Sequence, residues 1–320
     1  MNIVILDADT VTTGDISLEE FKMLGDVTIY NTTTPENVIE RIKDAEAVLC
    51  NKVLITADIM KQCNNLKYIG LFATGYNNID LSGADEMGIV VCNAPEYSTN
   101  SVAQHVFAFI LSHLSRIDEY NKTVADGDWV KSKLFSYFHL PTEEIAGQTL
   151  GIIGFGSIGK KVSQIALAFG MKVKVHTRTI PKNYQDIEFV DLDTLFTESD
   201  IITLHCPLNE QTKNLINFKT LSKMKKSTVL INTSRGPVIN EYDLAQALNN
   251  NIIAKACIDV VSVEPMDKDN PLREVKNCII TPHIAWAPQK TRQRLVEIVA
   301  DNLKQFQNKN PINIVNKGRA

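Results

Sequence analysis

The sequence predicts an α/β protein built from two doubly wound parallel-sheet domains. Its 320 residues are about the length of two domains. Short, strongly apolar runs alternate with helix-length amphipathic segments in two successive stretches, the second of which begins at Thr149. Because these runs are too apolar for half-exposed antiparallel strands, they indicate parallel strands that are covered on both faces.

The first stretch contains five apolar runs, which are predicted strands at Asn2–Leu6, Val27–Tyr30, Ala47–Cys50, Lys67–Phe72 and Ile89–Cys92. The segments between them have helical periodicity and predict helices at Leu18–Leu24, Pro35–Asp44, Ala57–Cys63 and Leu81–Met87. Pro35 stands in the first helical turn, where a backbone N–H has no partner within the helix.

The second stretch repeats this pattern with six predicted strands, at Leu150–Ile153, Lys172–His176, Ile201–His205, Thr228–Asn232, Ala254–Ile258 and Cys278–Ile280. Crossover helices are predicted between them at Ser157–Ala168, Leu192–Phe196, Phe218–Met224 and Tyr242–Asn249. Strands that alternate with helices in this way form a doubly wound sheet, which is an architecture that binds nucleotides.

Two longer segments are predicted to be connecting helices. Ser98–Thr123 contains the apolar core VAQHVFAFIL, and its histidines, His105 and His113, are expected to be packed or capping rather than reactive. Pro288–Gln307 carries apolar residues at helical spacing. This last helix need not extend the second sheet, and its return to the first domain would make that domain discontinuous.

Composition excludes several classes of protein. The 33 basic and 37 acidic residues give a net charge of −4, which argues against a nucleic-acid binder. The chain has no apolar run of the ~18–20 residues that span a bilayer. Asp7 and Asp9 stand where a signal peptide has basic residues, so a cytoplasmic location is expected. The six cysteines form no C-x-x-C pair, which argues against a metal site and favours buried, reduced thiols.

The segment GIIGFGSIGKK places Gly154, Gly156 and Gly159 in the pattern G-x-G-x-x-G. The first glycine allows a tight turn, the second allows backbone to approach a pyrophosphate, and the third allows the helix and strand to pack closely. The helix that begins near Ser157 would direct its free N–H groups toward phosphate. Since the motif lies between a predicted strand and a predicted helix, it indicates a dinucleotide site.

The end of the next strand bears on the choice between NAD and NADP. An acidic residue about 20 residues beyond the glycines would bind the 2′-hydroxyl of the ribose. This chain instead reads KVKVHTRT, which places Thr177 and Arg178 there. Arg178 can pair with a 2′-phosphate and Thr177 can donate a hydrogen bond, which favours NADP. Alternatively, Arg178 stacks on the adenine and either cofactor binds.

Polar residues follow several strands of the second stretch at their carboxyl ends, where ligands bind in open α/β sheets. These are His205, Arg235, Asp259 and His283, and Glu264 follows shortly after Asp259. Reduction of a 2-oxo acid needs a cation for the carboxylate and a proton donor for the new alkoxide, while the nicotinamide supplies the hydride. Arg235 and His283 can fill these two roles, with Glu264 orienting the imidazole. His205 is expected to lie near the cofactor without a catalytic role.

Five segments together resemble the D-isomer-specific 2-hydroxyacid dehydrogenase family, over nearly the full length of the chain. They are GIIGFGSIGKK, LHCPLNEQTKNLI, LINTSRGPVINEYDLAQAL, IDVVSVEP and NCIITPHIAWA. The catalytic Arg, Glu and His of the family match Arg235, Glu264 and His283. The segments LFATGYNNID and NAPEYSTNSVAQH, the GDW at 127–129 and Trp286 are similar to the hydroxypyruvate reductase/glycerate dehydrogenase branch.

The resemblance implies an enzyme that reduces hydroxypyruvate to D-glycerate and glyoxylate to glycolate. It also implies that the protein forms homodimers. It implies a discontinuous, flavodoxin-like substrate domain (1–98 and 287–320) and a Rossmann dinucleotide-binding domain (99–286). Backbone N–H groups of Ala73, Thr74 and Gly75 are expected to hold the substrate carboxylate with Arg235. Further cofactor contacts are expected from Ser157, Ile158, Cys206, Pro207, Thr212, Thr233 and Asp259.

Two departures from the family pattern bear on function. Many NAD-using members have Asp where this chain has Thr177, which leaves the cofactor preference open. The formate dehydrogenase branch has Gln where this chain has Glu264, so that chemistry is disfavoured. Two alternatives remain, namely a D-lactate-type dehydrogenase that acts on another 2-oxo acid and a dinucleotide-sensing protein like the corepressors that share this fold.

Overall fold

The computed structural model describes residues 1–317, which divide into two compact units. Unit 1 comprises Met1–Ser98 and the segment that begins at Trp286, and unit 2 is Thr99–Ala285. Each unit contains one parallel β-sheet with helices, which confirms the predicted fold class. Within residues 1–317, no helix combines the length and the apolar character needed to cross a bilayer.

The described residues contain twelve strands: β1 (Asn2–Ile5), β2 (Asp26–Ile29), β3 (Ala47–Cys50), β4 (Tyr68–Leu71), β5 (Val90–Cys92), β6 (Thr149–Ile153), β7 (Lys172–His176), β8 (Ile187–Phe189), β9 (Ile201–Leu204), β10 (Val229–Asn232), β11 (Lys255–Ile258) and β12 (Cys278–Ile280). Their α-helices are α1 (Val38–Ile42), α2 (Ala57–Met60), α3 (Leu81–Met87), α4 (Thr99–Ser115), α5 (Ile117–Ala125), α6 (Asp128–Lys131), α7 (Ser157–Ala168), α8 (Leu192–Glu198), α9 (Phe218–Leu221), α10 (Glu241–Asn249) and α11 (Gln289–Gln307).

The sheet of unit 1 has the order β2-β1-β3-β4-β5, which is the order of flavodoxin-like sheets. Strand β1 is buried on both faces: Ile3 and Ile5 belong to one apolar cluster and Val4 to another. Helix α11 supplies Leu295 and Val299 to the cluster that contains Ile3, and both side chains are fully buried. Burial of such a side chain contributes about 1.5–3 kcal/mol, so apolar packing holds the C-terminal helix on unit 1.

The sheet of unit 2 has the order β12-β11-β10-β9-β6-β7-β8. Counted from β6 as the first strand, this is the 3-2-1-4-5-6 order of dinucleotide-binding sheets with one strand added. Ile152 and Ile231 pack with Ile110 of α4 on one face, and Leu230 packs with Leu244 of α10 on the other. The strand order reverses between β6 and β9, and such reversals are where these sheets bind ligands.

Three sequence predictions of local structure were wrong. The long helix predicted over Ser98–Thr123 is two helices, because Arg116 between α4 and α5 has a left-handed backbone with φ 49°. The predicted helix Leu18–Leu24 is a 3₁₀ helix at Glu19–Met23. Strand β8 was not predicted, since its sequence, Ile-Glu-Phe, is too short to show a period.

Candidate active site

Three of the predicted reactive residues follow three neighbouring strands of unit 2. Arg235 follows β10, Glu264 lies in the segment after β11, and His283 follows β12. These strands are adjacent and parallel, with Leu230, Ala256 and Cys278 in register. Because parallel strands end at the same edge of a sheet, the three residues come from one edge although they are far apart in sequence.

His283 and Glu264 form a close pair. The Nδ1 atom of His283 lies 2.7 Å from Oε2 of Glu264, while Oε1 of Glu264 accepts a hydrogen bond from the N–H of Val261 at 3.2 Å. The two side chains are 27% and 33% exposed. Since the carboxylate accepts the Nδ1 proton, Nε2 is the ring atom that can exchange a proton with a ligand.

The turn that carries Arg235 is fixed by a buried asparagine and a glycine. Asn232 is fully buried, donates from Nδ2 to the Arg235 carbonyl at 2.9 Å, and accepts hydrogen bonds from the N–H and hydroxyl of Ser234. A Cβ on Gly236 would lie 2.0 Å from the Val261 carbonyl carbon. The Arg235 turn therefore packs against the backbone of the segment that leads to Glu264.

Asp259 fixes the segment that carries His283. Its carbonyl accepts the His283 N–H at 2.8 Å. Its carboxylate, which is 1% exposed, accepts hydrogen bonds from the N–H groups of Ile284 and Ala285 and from the hydroxyl of Thr281. His283 has a left-handed backbone with φ 54°, which costs energy for a residue with a side chain. The Asp259 contacts hold it in this conformation.

The three glycines of the predicted dinucleotide motif lie between β6 and α7. Gly154 has φ +97°, and a Cβ on it would lie 2.5 Å from the His205 carbonyl oxygen and 2.6 Å from the Cys206 nitrogen. A Cβ on Gly159 would lie 2.3 Å from the Gly154 oxygen. Gly154 thus allows contact with the segment after β9, and Gly159 allows the close packing of helix and strand.

Gly156 differs from these two because a Cβ there would meet no protein atom within 4 Å. It is the N-terminal cap of α7, a helix of twelve residues whose first N–H groups are free to bind an anion. At the end of β10, the hydroxyl of Thr233 is buried without a hydrogen-bond partner. The open space above Gly156 and this unpaired hydroxyl fit a dinucleotide bound at the carboxyl edge of the sheet.

Alanine substitution should separate the roles of two glycines. We expect Gly156→Ala to leave the melting temperature close to that of the unmodified protein and to weaken NADH binding roughly 10- to 100-fold, because the methyl group fills space the pyrophosphate needs. We expect Gly154→Ala to lower the free energy of unfolding by about 1–3 kcal/mol through backbone strain and collision. Fluorescence titration and thermal melts measure both effects, and an unchanged NADH affinity in Gly156→Ala would contradict this assignment.

The other predicted cofactor residues lie along the same edge of unit 2. Arg178 is exposed just beyond β7, next to Thr177. The hydroxyl of Thr212 donates to the Pro207 carbonyl at 2.6 Å, which fixes the loop after Cys206. Ser157 and Ile158, which are also predicted cofactor contacts, lie in the first turn of α7.

The predicted substrate loop, Ala73–Gly75, follows β4 in unit 1. The Thr74 hydroxyl donates to the Ala94 carbonyl at 2.8 Å, and the Thr74 carbonyl accepts a hydrogen bond from Asn93 at 2.7 Å. The Ala73 carbonyl accepts the N–H of Ala94 at 2.9 Å. These bonds fix the conformation of the loop whose N–H groups are predicted to bind a carboxylate.

His205 is unsuited to proton transfer. Its Nε2 atom lies 3.0 Å from the Thr203 hydroxyl, and its Nδ1 atom is buried without a partner. Burial lowers the pKa of His205 to about 3. The ring therefore stays neutral near pH 7, which supports the expectation that His205 is not the catalytic acid.

Four residues that support this site were missed or dismissed in the sequence analysis: His105, Asn232, Gly236 and Thr281. Asn232 and Gly236 lie on either side of Arg235 in NTSRG. The Asn at the end of an apolar run and the Gly after Arg235 could have indicated a turn that positions Arg235. Thr281 contacts both Asp259 and His105. No local pattern could relate His105 to Thr281, because they are 176 positions apart.

A family model described as "D-isomer specific 2-hydroxyacid dehydrogenase, NAD binding domain" matches residues 107–285. The chain is 40% identical to a hydroxypyruvate reductase from Blautia hydrogenotrophica, over 99% of this chain and all of the relative. It is 41% identical to a glycerate dehydrogenase from Methylorubrum extorquens, over 98% of each chain. Among solved structures, an acyclic imino acid reductase in complex with NADPH and D-Arg has a TM-score of 0.87 and 31% identity, covering 98% of this chain and 100% of that one.

Proposed function

Because this chain belongs to the D-isomer-specific 2-hydroxyacid dehydrogenase family, we propose that it reversibly reduces hydroxypyruvate to D-glycerate and glyoxylate to glycolate. The observation that carries this proposal is the 2.7 Å pair of His283 and Glu264, at the same sheet edge as Arg235. An anchored imidazole and a guanidinium at one sheet edge can provide the two functions that reduction of a 2-oxo acid requires. The relatives named as a hydroxypyruvate reductase and a glycerate dehydrogenase support this choice of substrate.

Each residue of this group has a separate task in the proposed reaction. Arg235 binds the substrate carboxylate through two guanidinium N–H groups and polarises the carbonyl. His283 donates its Nε2 proton to the substrate oxygen as that oxygen becomes an alkoxide. Glu264 accepts the Nδ1 hydrogen bond and stabilises the protonated ring. Bound nicotinamide supplies the hydride that C2 accepts.

We assign the dinucleotide to unit 2 and the predicted carboxylate-binding loop to unit 1. The motif at Gly154–Gly159, the N-terminus of α7 and the unpaired Thr233 hydroxyl support the first assignment. The bonds that fix Ala73–Gly75 support the second. Asp259 remains a predicted cofactor contact, and in the structure its carboxylate is directed at Thr281, Ile284 and Ala285.

A substrate panel tests the proposed function. Values of kcat/KM for hydroxypyruvate and glyoxylate should exceed those for pyruvate and phenylpyruvate, and the glycerate produced should be the D-isomer. A higher value for pyruvate or phenylpyruvate would instead indicate a D-lactate-type dehydrogenase. Binding of NADH without oxidation in the presence of any of the four acids would favour the dinucleotide-sensing alternative.

We propose that the enzyme prefers NADPH, because Arg178 is exposed beyond β7 and no acidic residue follows that strand directly. Arg178→Gln should then raise KM for NADPH roughly 10- to 100-fold, since a charge-assisted hydrogen bond contributes about 1.5–3 kcal/mol. KM for NADH should stay within twofold. A wild-type preference for NADH, or an equal effect of the variant on both cofactors, would contradict this proposal.

We further propose that the chain forms a homodimer through α5, α6 and the loop that follows. This segment exposes Val130, Leu134, Phe135 and Phe138, which are 67–92% exposed, and apolar surface of this kind marks an interface. Light scattering should give twice the chain mass, and Phe135→Asp with Phe138→Asp should give monomers. A monomeric wild-type protein at micromolar concentration would contradict this proposal.

The six free cysteines support a cytoplasmic location.

A further inference from the structure

A histidine outside the predicted catalytic group is connected to it by hydrogen bonds. His105 lies on α4, and its Nε2 atom is 3.1 Å from the hydroxyl of Thr281. That hydroxyl is 2.5 Å from Oδ1 of Asp259. A threonine hydroxyl has one proton, which the Asp259 carboxylate accepts, so the Thr281 oxygen accepts a hydrogen bond from His105. This arrangement places the His105 proton on Nε2.

The environment of His105 suits a neutral hydrogen-bond donor. Its ring packs edge-on against Phe109, with 4.5 Å between the ring centroids. Burial lowers the pKa of His105, and the Asp259 carboxylate, whose Oδ1 is 3.8 Å from Nε2, partly opposes this effect. The pKa of His105 is lowered overall, so a neutral ring with its proton on Nε2 is favoured near pH 7.

The Asp259 carboxylate transmits this bond to the segment that carries His283. Oδ1 also accepts the N–H of Ile284 at 2.9 Å, and Oδ2 accepts the N–H of Ala285 at 2.8 Å. The conformation of His283, with φ 54°, is therefore held from both sides by one buried residue. Hydrogen bonds in such a chain polarise one another, so the His105 bond strengthens the bond from Thr281 to Asp259.

We infer that His105 is a positioning residue for His283, acting through Thr281 and Asp259 to hold the segment 283–285. The inference rests on the proposed function, because it assigns His105 to the orientation of the proton donor in that reaction. His105 is the last residue of the segment NSVAQH, to which the proposed function assigns no other role.

Kinetics of two variants test this role. His105→Leu removes the donor, and we expect kcat for hydroxypyruvate to fall about 3- to 10-fold, which corresponds to a neutral hydrogen bond of roughly 0.5–1.5 kcal/mol. His105→Gln keeps an N–H near Thr281 and should restore kcat to within twofold of the wild type. The Kd for NADPH should be unchanged in both. Equal kcat values in His105→Leu and the wild type, or a glutamine variant as slow as the leucine variant, would overturn the inference.

Thr281→Val provides a second test that does not depend on the folding of His105→Leu. It removes the bridging hydroxyl and should lower kcat to a similar extent. Adding His105→Leu to Thr281→Val should cause no further loss, because His105 acts through Thr281. Losses that multiply would show that His105 acts by another route.

Long-range ¹H–¹⁵N spectra of the histidine rings give a readout that needs no substrate. The wild-type protein should show His105 with its proton on Nε2, and Thr281→Val should shift the ring resonances of His283. A proton on Nδ1 of His105, or an unmoved His283 ring, would overturn the inference. If the spectra agree with it while hydroxypyruvate is not reduced by the wild type, the proposed substrate fails and the positioning role stands.

Discussion

Replacing His283 with alanine should lower kcat for hydroxypyruvate reduction by roughly 10²–10⁴-fold, which is the usual contribution of a general acid. The variant removes the imidazole whose Nδ1 atom lies 2.7 Å from Oε2 of Glu264. The substrate oxygen would then have to take its proton from water. Cofactor binding should be retained, because the glycine motif and α7 are separate from β12.

Two controls make this result specific to proton donation. The Kd for NADPH, measured by fluorescence, should stay within threefold of the wild-type value. The melting temperature should not fall, because the alanine variant keeps the hydrogen bonds from the N–H groups of residues 284 and 285 to Asp259. A variant that retained near-normal kcat would remove His283 from the role of acid. His205 could not replace it, because the pKa of His205 is lowered to about 3.

Replacing Arg235 with methionine should lower kcat/KM by roughly 30- to 4,000-fold, which is the 2–5 kcal/mol typical of losing one partner from a hydrogen-bonded charge pair. The side chain is exposed on a turn that Asn232 and Gly236 fix, so the loss should fall on substrate binding and carbonyl polarisation rather than on folding. Steady-state kinetics with hydroxypyruvate provides the measurement.

Arg235→Lys is the matched control for charge. Lysine keeps the positive charge but replaces the planar fork with a point charge, so it should recover only part of the lost activity. Wild-type kcat and KM in the lysine variant would show that bidentate geometry is not used. Wild-type kinetics in the methionine variant would show that Arg235 does not bind substrate.

The fold could be predicted from the sequence wherever the spacing of apolar residues determines the secondary structure. All five strands of unit 1 and six of the seven described in unit 2 were predicted, most of them because parallel strands buried on both faces are continuous apolar runs. The break at Arg116 could not be predicted, since neither Gly nor Pro marks it. Strand β8 could not be predicted either, because it lies at the edge of the sheet and contains an exposed Glu188.

The site could be predicted where a residue type and a strand end coincided. Arg235 and His283 were proposed in this way, and the resemblance to the family pointed to the same two residues and to Glu264, which the structure places against His283. The hydrogen bonds around Asp259 could not be predicted, because they depend on the turn after β12 and on a helix from a distant part of the chain. Sequence position does not show which of several polar groups a buried carboxylate accepts hydrogen bonds from.

A double-mutant cycle on His283 and Glu264 tests the central claim, that the two residues act as one proton-donating unit. Glu264→Gln in the wild-type background should lower kcat, because an amide neither stabilises a protonated ring nor selects its orientation as a carboxylate does. In the His283→Ala background the same substitution should change kcat by less than twofold. If the two losses instead multiply, Glu264 acts independently of His283, and the 2.7 Å contact is not the basis of proton donation.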